Sequence, residues 1–197
     1  MKNLHGQLYK FFILTFFALQ ITGFSVANAY ETAILHYPDR DWKAVSYERK
    51  DEEQEIIAKF VPIYDDPENW NEMLIFHSYK WAKQANEGAD SFIETIVGYE
   101  RDKFGKIETK KLKSETDDAI MQWCAYKSTK TDPAQCALVR VVKGHETVVA
   151  INYITRNINS FEYSKKALWL PVLANATIYY SYWRWNRMMN KALCVEL

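Results

Sequence analysis

Alternating apolar and polar positions predict a sheet of short strands along most of the chain. The last four predicted strands are separated by short connections, which favour antiparallel neighbours. Met73–Tyr79 is largely apolar on both faces, and this pattern is typical of a central strand covered on both sides. The predicted strands are Trp42–Tyr47, Glu55–Val61, Met73–Tyr79, Lys106–Lys113, Ala119–Lys127, Cys136–Lys143 and Thr147–Arg156.

A helical period interrupts and follows these strands. It predicts a short helix from Trp81 to Ala85 and a longer one from Asp90 to Phe104, which ends at Gly105. Ser164–Leu173 is expected to be a helix broken at Pro171, and Asn175–Leu193 a long C-terminal helix. The core-facing stripe of that last helix would contain Ile178, Tyr182, Trp185, Met189 and Ala192. The predicted fold class is α+β: an antiparallel β-sheet with helices packed on it and a long C-terminal helix.

The N-terminal segment has the three parts of a secretory signal peptide. Lys2 and Lys10 are basic, Phe11–Phe24 is mostly apolar, and Ala27-Asn28-Ala29 has the small-x-small pattern that precedes cleavage. The alternative is an uncleaved anchor, but the apolar run is shorter than the roughly 20 residues that span a bilayer. We therefore expect a cleaved signal peptide at residues 1–29 and an exported protein, periplasmic or secreted. Residues 30–197 would form a single globular α+β domain that begins with an exposed lead-in.

Charge excludes one class of partner. The chain has 25 basic and 25 acidic residues, and cleavage would remove Lys2 and Lys10, leaving 23 basic residues against 25 acidic ones. Such a balance lacks the basic footprint that nucleic acids require, and it gives no attraction to an anionic membrane surface. We expect no nucleic-acid partner and, after cleavage, no stable membrane span.

Three cysteines, Cys124, Cys136 and Cys194, would enter an oxidising compartment, where pairing is the default. A turn at 130–133 separates two predicted strands and would bring Cys124 and Cys136 together, so we predict a disulfide between them. Cys194 is left as an inert thiol, as an intermolecular bridge, or as the true partner of one of the other two. No CxxC or His-x-His spacing accompanies the cysteines, so we predict no metal site.

The predicted C-terminal helix carries aromatic residues on all sides, more than one buried face can hold. Aromatics at helical spacing are usually core residues, but surplus rings beside arginine can stack on a sugar, join a partner interface or rest at a membrane interface. The candidate binding residues are Tyr180, Trp183, Arg184 and Arg187.

Catalytic chemistry has little support in the sequence. Common catalytic and nucleotide-binding motifs are missing, and the acidic segment 65–72 lacks the EF-hand spacing and is better interpreted as a turn. His77 lies within a predicted central strand, where a hydrogen-bonded core histidine is the expected role, and His145 lies at a turn. We assign no catalytic residue and no cofactor. If the protein is an enzyme, its site is dispersed, and His77 and His145 are the first residues to test.

Trp42-x4-Tyr47 is followed by Phe60-Val61-Pro62, then by Asn69-Trp70-Asn71-Glu72-Met73-Leu74, and later by Val142-Lys143-Gly144 between two strands. These motifs resemble those of a group of small exported Gram-negative bacterial proteins of uncharacterised function. The resemblance covers about half of the mature chain and implies export without naming any catalytic residue. The order of elements is also similar to the PsbP-type sandwich, a likeness of fold alone.

These features together favour a non-enzymatic exported domain that binds a partner protein or a small ligand. The alternatives are an enzyme with a dispersed site and an envelope-associated structural protein.

Overall fold

The computed structural model describes residues 30–36, 41–50, 52–181 and 192–196. The strands are β1 (Tyr30–His36), β2 (Trp42–Lys50), β3 (Glu55–Pro62), β4 (Glu72–Tyr79), β5 (Glu108–Ser114), β6 (Asp118–Ala125), β7 (Gln135–Lys143), β8 (Val148–Thr155), β9 (Thr177–Ser181) and β10 (Ala192–Glu196). The helices are α1 (Lys80–Gln84), α2 (Ala89–Phe104), α3 (Ile158–Ser160) and α4 (Lys166–Ala174), with a π-helical turn at Phe161–Lys165 between the last two.

Seven strands form one antiparallel sheet in the order β2-β3-β4-β8-β7-β6-β5. The hairpins β2–β3 and β3–β4 build one half, and the meander from β5 to β8 builds the other. Strand β4 pairs with β8, so the two halves join at the centre of the sheet. All seven strands predicted from the alternating pattern are present, and the α+β class with an antiparallel sheet is confirmed.

Helix α2 packs on one face of this sheet, which we call the α2 face. Phe92, Ile93 and Val97 are buried there, because their spacing places them on one side of the helix. They meet the buried side chains of β6 and β7, among them Met121 and Val139. The helix ends at Gly105, as predicted, where a positive φ of 76° favours glycine.

The opposite face, the α4 face, is covered by the helical segment 158–174 and by β1. Trp169 of α4 stacks on Tyr153 of β8 with ring centroids 4.3 Å apart, and Trp42 meets the Trp169 ring edge-on at 5.5 Å. Ala33 and Leu35 of β1 are fully buried against the same core. The sheet therefore has a core on each face, and both cores are rich in aromatic rings.

Two sequence predictions about the ends of the domain are wrong. The exposed lead-in is the strand β1, which forms the centre of a second, three-stranded antiparallel sheet in the order β10-β1-β9. The helix predicted over Asn175–Leu193 does not form at 177–181 or 192–193, which belong to the strands that flank β1, and its residues 182–191 lie outside the described part of the chain. Thr177 and Ile178 are β-branched and are followed by two tyrosines, and such residues favour strands when an unpaired edge is available.

Pro171 does not break its helix, contrary to prediction. Helix α4 continues through it to Ala174, with Trp169 and Leu173 buried on either side of the proline. Burial of these two side chains offsets the backbone hydrogen bond that proline lacks. The C-terminal helical segment that the structure describes is therefore 158–174.

The predicted Cys124–Cys136 disulfide is confirmed. The two residues are direct cross-strand partners of β6 and β7, and their Cα atoms lie 4.1 Å apart. Both side chains are buried in the core of the α4 face. Cys194 pairs through its backbone with Ile34 in the small sheet.

Among the residues that the structure describes, no helix is long and apolar enough to cross a membrane.

Candidate functional site

Strand register places a row of chemically varied side chains on the α2 face of β2, β3 and β4. Glu48, Ile57 and His77 are cross-strand neighbours in one row, and Lys50, Glu55 and Tyr79 form the next row. We call this surface the open half of the sheet. It consists of Ser46, Glu48, Lys50, Glu55, Ile57, Lys59, Ile75 and His77.

Burial changes abruptly along the α2 face. Every residue of the open half is exposed or partly exposed, whereas the residues of β6, and of β7 as far as Val141, on the same face are buried. The cause is the position of α2, which packs on β6 and β7. Ile57 and Ile75, two β-branched apolar side chains, are consequently left only partly covered in the middle of a sheet. Such partly covered apolar groups among polar ones are typical of ligand-binding surfaces.

A continuous chain of hydrogen bonds crosses the open half. The Nε2 atom of His77 lies 2.9 Å from Oε2 of Glu55, and the hydroxyl of Tyr79 lies 2.6 Å from Nδ1 of His77. The carboxylate of Glu55 can only accept, so Nε2–H donates to it, and Nδ1 accepts the hydroxyl proton of Tyr79. The indole Nε1 of Trp81 donates to the other oxygen of Glu55 at 2.9 Å. Each polar group in this chain is satisfied, which fixes the rotamers of all four side chains.

Burial governs the protonation of these groups. Desolvation lowers the pKa of His77 and outweighs the opposing effect of the nearby Glu55 carboxylate. Desolvation also raises the pKa of Tyr79 far above its ordinary value, with smaller contributions from Glu55 and Tyr99. At neutral pH the imidazole is therefore uncharged and the phenol keeps its proton, in agreement with the hydrogen-bond directions assigned above.

Aromatic side chains border the open half where β4 runs into α1. The ring of Tyr79 stacks on His77 with centroids 3.8 Å apart, and it meets the ring of Phe92 edge-on at 4.8 Å. Trp81 is 37% exposed, and Tyr99 on α2 is 69% exposed. Trp81 thus offers an accessible aromatic surface beside Glu55, and Tyr99, which acts electrostatically on Tyr79, offers a second one near that ring.

Charges on the open half are balanced locally. Lys59 lies 3.9 Å from Glu48, and Lys50 lies 2.8 Å from Glu53 in the adjoining turn. Glu55 faces the uncharged His77 and the indole of Trp81. This pattern creates no strong field of either sign, so it does not select for a highly charged ligand.

Of the histidines singled out in the sequence, only His77 belongs to this surface. His145 lies in the β7–β8 turn beside the carboxylate of Glu146, at 2.9 Å, and His36 is exposed at the end of β1. The acidic turn has the structural role expected of it: the carboxylates of Asp65 and Asp66 accept hydrogen bonds from backbone N–H groups of the same loop.

The binding residues predicted on the C-terminal helix are not part of a described helix. Tyr180 lies in strand β9, where its backbone pairs with Glu31. Trp183, Arg184 and Arg187 lie outside the described residues, so their role stays a prediction. The site residues that the sequence did not reveal are Glu55, Tyr79 and Trp81. Glu55 and Tyr79 could have been found only by aligning the predicted strands β3 and β4 in register.

Within the described part of the chain, no group of three or more histidine, cysteine, aspartate or glutamate side chains is placed to hold a metal ion. Comparisons with protein-family models, curated proteins and solved structures found no match.

Proposed function

We propose that this protein is a non-enzymatic exported domain that binds a small ligand on the open half of its seven-stranded sheet. The observation that carries the proposal is the contrast in burial along the α2 face. Partly exposed isoleucines lie beside hydrogen-bonding groups and accessible aromatic rings, a combination that ligand pockets use for affinity and orientation. This surface replaces the C-terminal helix as the expected contact region.

The hydrogen-bond chain supports a binding role because it holds Glu55, His77 and Trp81 in fixed positions before any ligand arrives. Preorganised polar groups lower the entropy lost on binding. With His77 only 18% and Glu55 13% exposed at their side chains, each still has an accessible portion toward solvent. The absence of a strong local field favours a ligand that is uncharged or has balanced charges.

A fragment screen by NMR tests the proposal. Amide shifts of the labelled protein would be recorded with a library of small neutral and zwitterionic compounds. The expected result is that shifts caused by the best fragments cluster on β2, β3 and β4. Ile57→Lys should abolish binding of these fragments, whereas Ile63→Lys, on an exposed loop, should leave binding intact. Fragments that cluster elsewhere, or that bind equally well to Ile57→Lys, would contradict the proposal.

An enzyme is the second candidate, and the Glu55–His77–Tyr79 chain is the observation that favours it. It joins a carboxylate, an imidazole and a hydroxyl in the order that activates hydroxyl nucleophiles. One fact places this candidate second: burial raises the pKa of Tyr79, so its hydroxyl keeps its proton. Hydrolysis of a panel of activated esters would decide between the two. Turnover that disappears in His77→Gln would favour the enzyme, and equal background rates in both proteins would favour the binding domain.

A further inference from the structure

Helix α2 carries a carboxylate on its buried side. Ile93, Val97, Glu100 and Phe104 follow one another at i, i+4, i+7 and i+11, so Glu100 points in the same direction as the core residues. Its Oε2 atom is shielded from solvent and has no hydrogen-bond partner in the described part of the molecule. A carboxylate oxygen in this position is unfavourable, because it has lost water without gaining a donor.

The charged groups around Glu100 do not compensate for the missing hydrogen bond to its Oε2 atom. Lys103, one turn further along α2, is bound to Oδ1 of Asp132 at 2.7 Å, and the hydroxyl of Thr131 donates to the other oxygen of Asp132 at 2.8 Å. Lys103 favours the carboxylate of Glu100, whereas Asp132, a like charge in the β6–β7 loop, disfavours it. Desolvation is the largest influence, and the pKa of Glu100 is raised.

Arg156, just beyond β8, is a further charged group near Asp132. Its guanidinium lies 4.0 Å from the centre of the Trp70 ring and donates to the backbone oxygen of Trp70 at 2.9 Å. It acts electrostatically on Asp132. Its Nε atom is also buried without a partner among the described residues. Arg156 is therefore held by Trp70, and no hydrogen bond from it to Glu100 is present to stabilise the carboxylate.

We propose that protonation of Glu100 controls how tightly the second half of α2 packs on the sheet, and through α2 regulates access to the open half. The uncharged carboxyl group fits the core-facing stripe. The carboxylate weakens the contact of residues 97–104 with β6 and β7. Tyr99, the neighbour of Glu100, forms part of the aromatic border of the open half, so a looser helix moves that border. Regulation of access to the open half rests on the proposed binding function, whereas the effect of Glu100 on the packing of α2 does not.

The direction of the effect follows from linkage. A carboxyl group whose pKa is raised in the packed state stabilises that state fully below its ordinary pKa. This advantage is lost as the pH rises through the raised value. Each unit of difference corresponds to about a tenfold change in the equilibrium between packed and loosened helix. The packed form should therefore be most populated below the ordinary pKa of a glutamate and less populated above the raised one.

Hydrogen exchange on the ligand-free protein tests this proposal. Protection factors of amides in 97–104, corrected for intrinsic exchange, should fall in the wild type as the pH rises above the ordinary pKa of a glutamate. In Glu100→Gln they should stay high across the range. The matched control is Glu94→Gln, since Glu94 is an exposed residue of the same helix that binds Lys111 at 2.6 Å. It should behave as the wild type.

A second variant tests the electrostatic cause of the effect. Asp132→Asn removes the like charge and frees Lys103, so the transition in protection should move to lower pH. Protection that is independent of pH in the wild type, or a transition unchanged in Glu100→Gln, would overturn the proposal. Because no ligand is present, such a failure would leave the binding proposal standing. Failure of the fragment screen would likewise leave the behaviour of the helix intact.

Discussion

Replacing Arg140 should destabilise the protein more than any change on the surface around it. Arg140 extends from β7 on the α4 face, and its side chain is 9% exposed. Its Nε and Nη2 donate to the two oxygens of Asp118, both at 2.9 Å, and its Nη1 donates to the backbone oxygens of Leu173 and Ala176, both at 2.7 Å. One guanidinium thus joins the large sheet to the end of α4 and to the segment that leads into β9.

The size of the effect follows from what Arg140→Met would leave behind. The Met side chain fills part of the space but donates no hydrogen bond. The two carbonyl oxygens lose this donor, and Asp118 keeps the hydrogen bond from Lys113, at 2.8 Å. Breaking one side of a buried, hydrogen-bonded ion pair typically costs about 3–5 kcal/mol. We therefore expect the free energy of unfolding to fall by about 3–5 kcal/mol at neutral pH.

Urea denaturation followed by tryptophan fluorescence measures this loss, because Trp169 and Trp123 are buried. The matched control is Lys113→Met, which removes the other cation bound to Asp118, one that is more exposed than Arg140 and donates a single hydrogen bond to it. Its loss should be much smaller, because water screens the more exposed cation. Similar losses in the two variants, or a change of less than about 1 kcal/mol in Arg140→Met, would refute the reasoning.

The pH dependence supplies an independent check. Desolvation acts to raise the pKa of Asp118, but the hydrogen bonds from Arg140 and Lys113 outweigh it and lower the pKa below its ordinary value. This contribution is present above the ordinary pKa and is lost as the pH falls through the lowered one. The difference in stability between wild type and Arg140→Met should therefore narrow in acid. It should not vanish, because the two carbonyl oxygens lose their donor at every pH.

Three further changes have defined outcomes. Replacing Cys124 and Cys136 together by alanine should lower the free energy of unfolding by about 2–3 kcal/mol, because the disulfide closes a short loop and so restricts the unfolded chain. Urea denaturation measures this loss, with Cys194→Ala as the control. Tyr79→Phe removes the hydroxyl that donates to Nδ1 of His77, so the pKa of His77 measured by NMR titration should rise. Glu55→Gln removes the carboxylate next to Nε2, so the same pKa should fall further. A shift of the same sign in both variants would contradict the hydrogen-bond directions. Glu72→Ala should cost about 3–5 kcal/mol, because it leaves Lys165 and the hydroxyl of Tyr153 without the buried carboxylate they bind at 2.6 and 2.8 Å; the exposed Glu68→Ala is the control in the same denaturation assay.

The large sheet was predictable because its strands carry their information locally. Strands such as β4 and β7 can be recognised in the sequence by their apolar runs and by the turn residues at their ends. The disulfide was predictable for the same reason, since one turn separates the two cysteines. Helix α2 combined a clear apolar stripe with a glycine stop, and its position in the sequence was found to within one residue at its start.

The ends of the domain were not predictable from local pattern. Residues 177–181 have a helical spacing of apolar side chains, yet they form β9, because β1 offers a partner strand from the opposite end of the chain. Pairing across so long a separation in sequence outweighs a weak local preference. Strand β1 could not be predicted for the same reason. Its alternating residues Ala33 and Leu35 indicate a strand only once the core in which they are buried is known.

The candidate site depended on register and on partial coverage, which a single sequence does not display. The sequence does not show where the turn between the strands of Glu55 and His77 begins and ends. A shift of one residue in the pairing of these strands would place the two side chains on opposite faces of the sheet. The open half exists because α2 packs on β6 and β7 rather than across the whole sheet. Its partly exposed isoleucines, Ile57 and Ile75, look like ordinary core residues when only the sequence is considered.

The central claim is that a small ligand contacts the open half, and intermolecular NOEs test it most directly. The protein would be labelled at isoleucine methyl groups and saturated with the strongest fragment from the screen. The account predicts NOEs from the fragment to the methyl groups of Ile57 and Ile75, and none to Ile63. NOEs to Ile63 or to the buried Ile151, without contacts to Ile57 and Ile75, would contradict it.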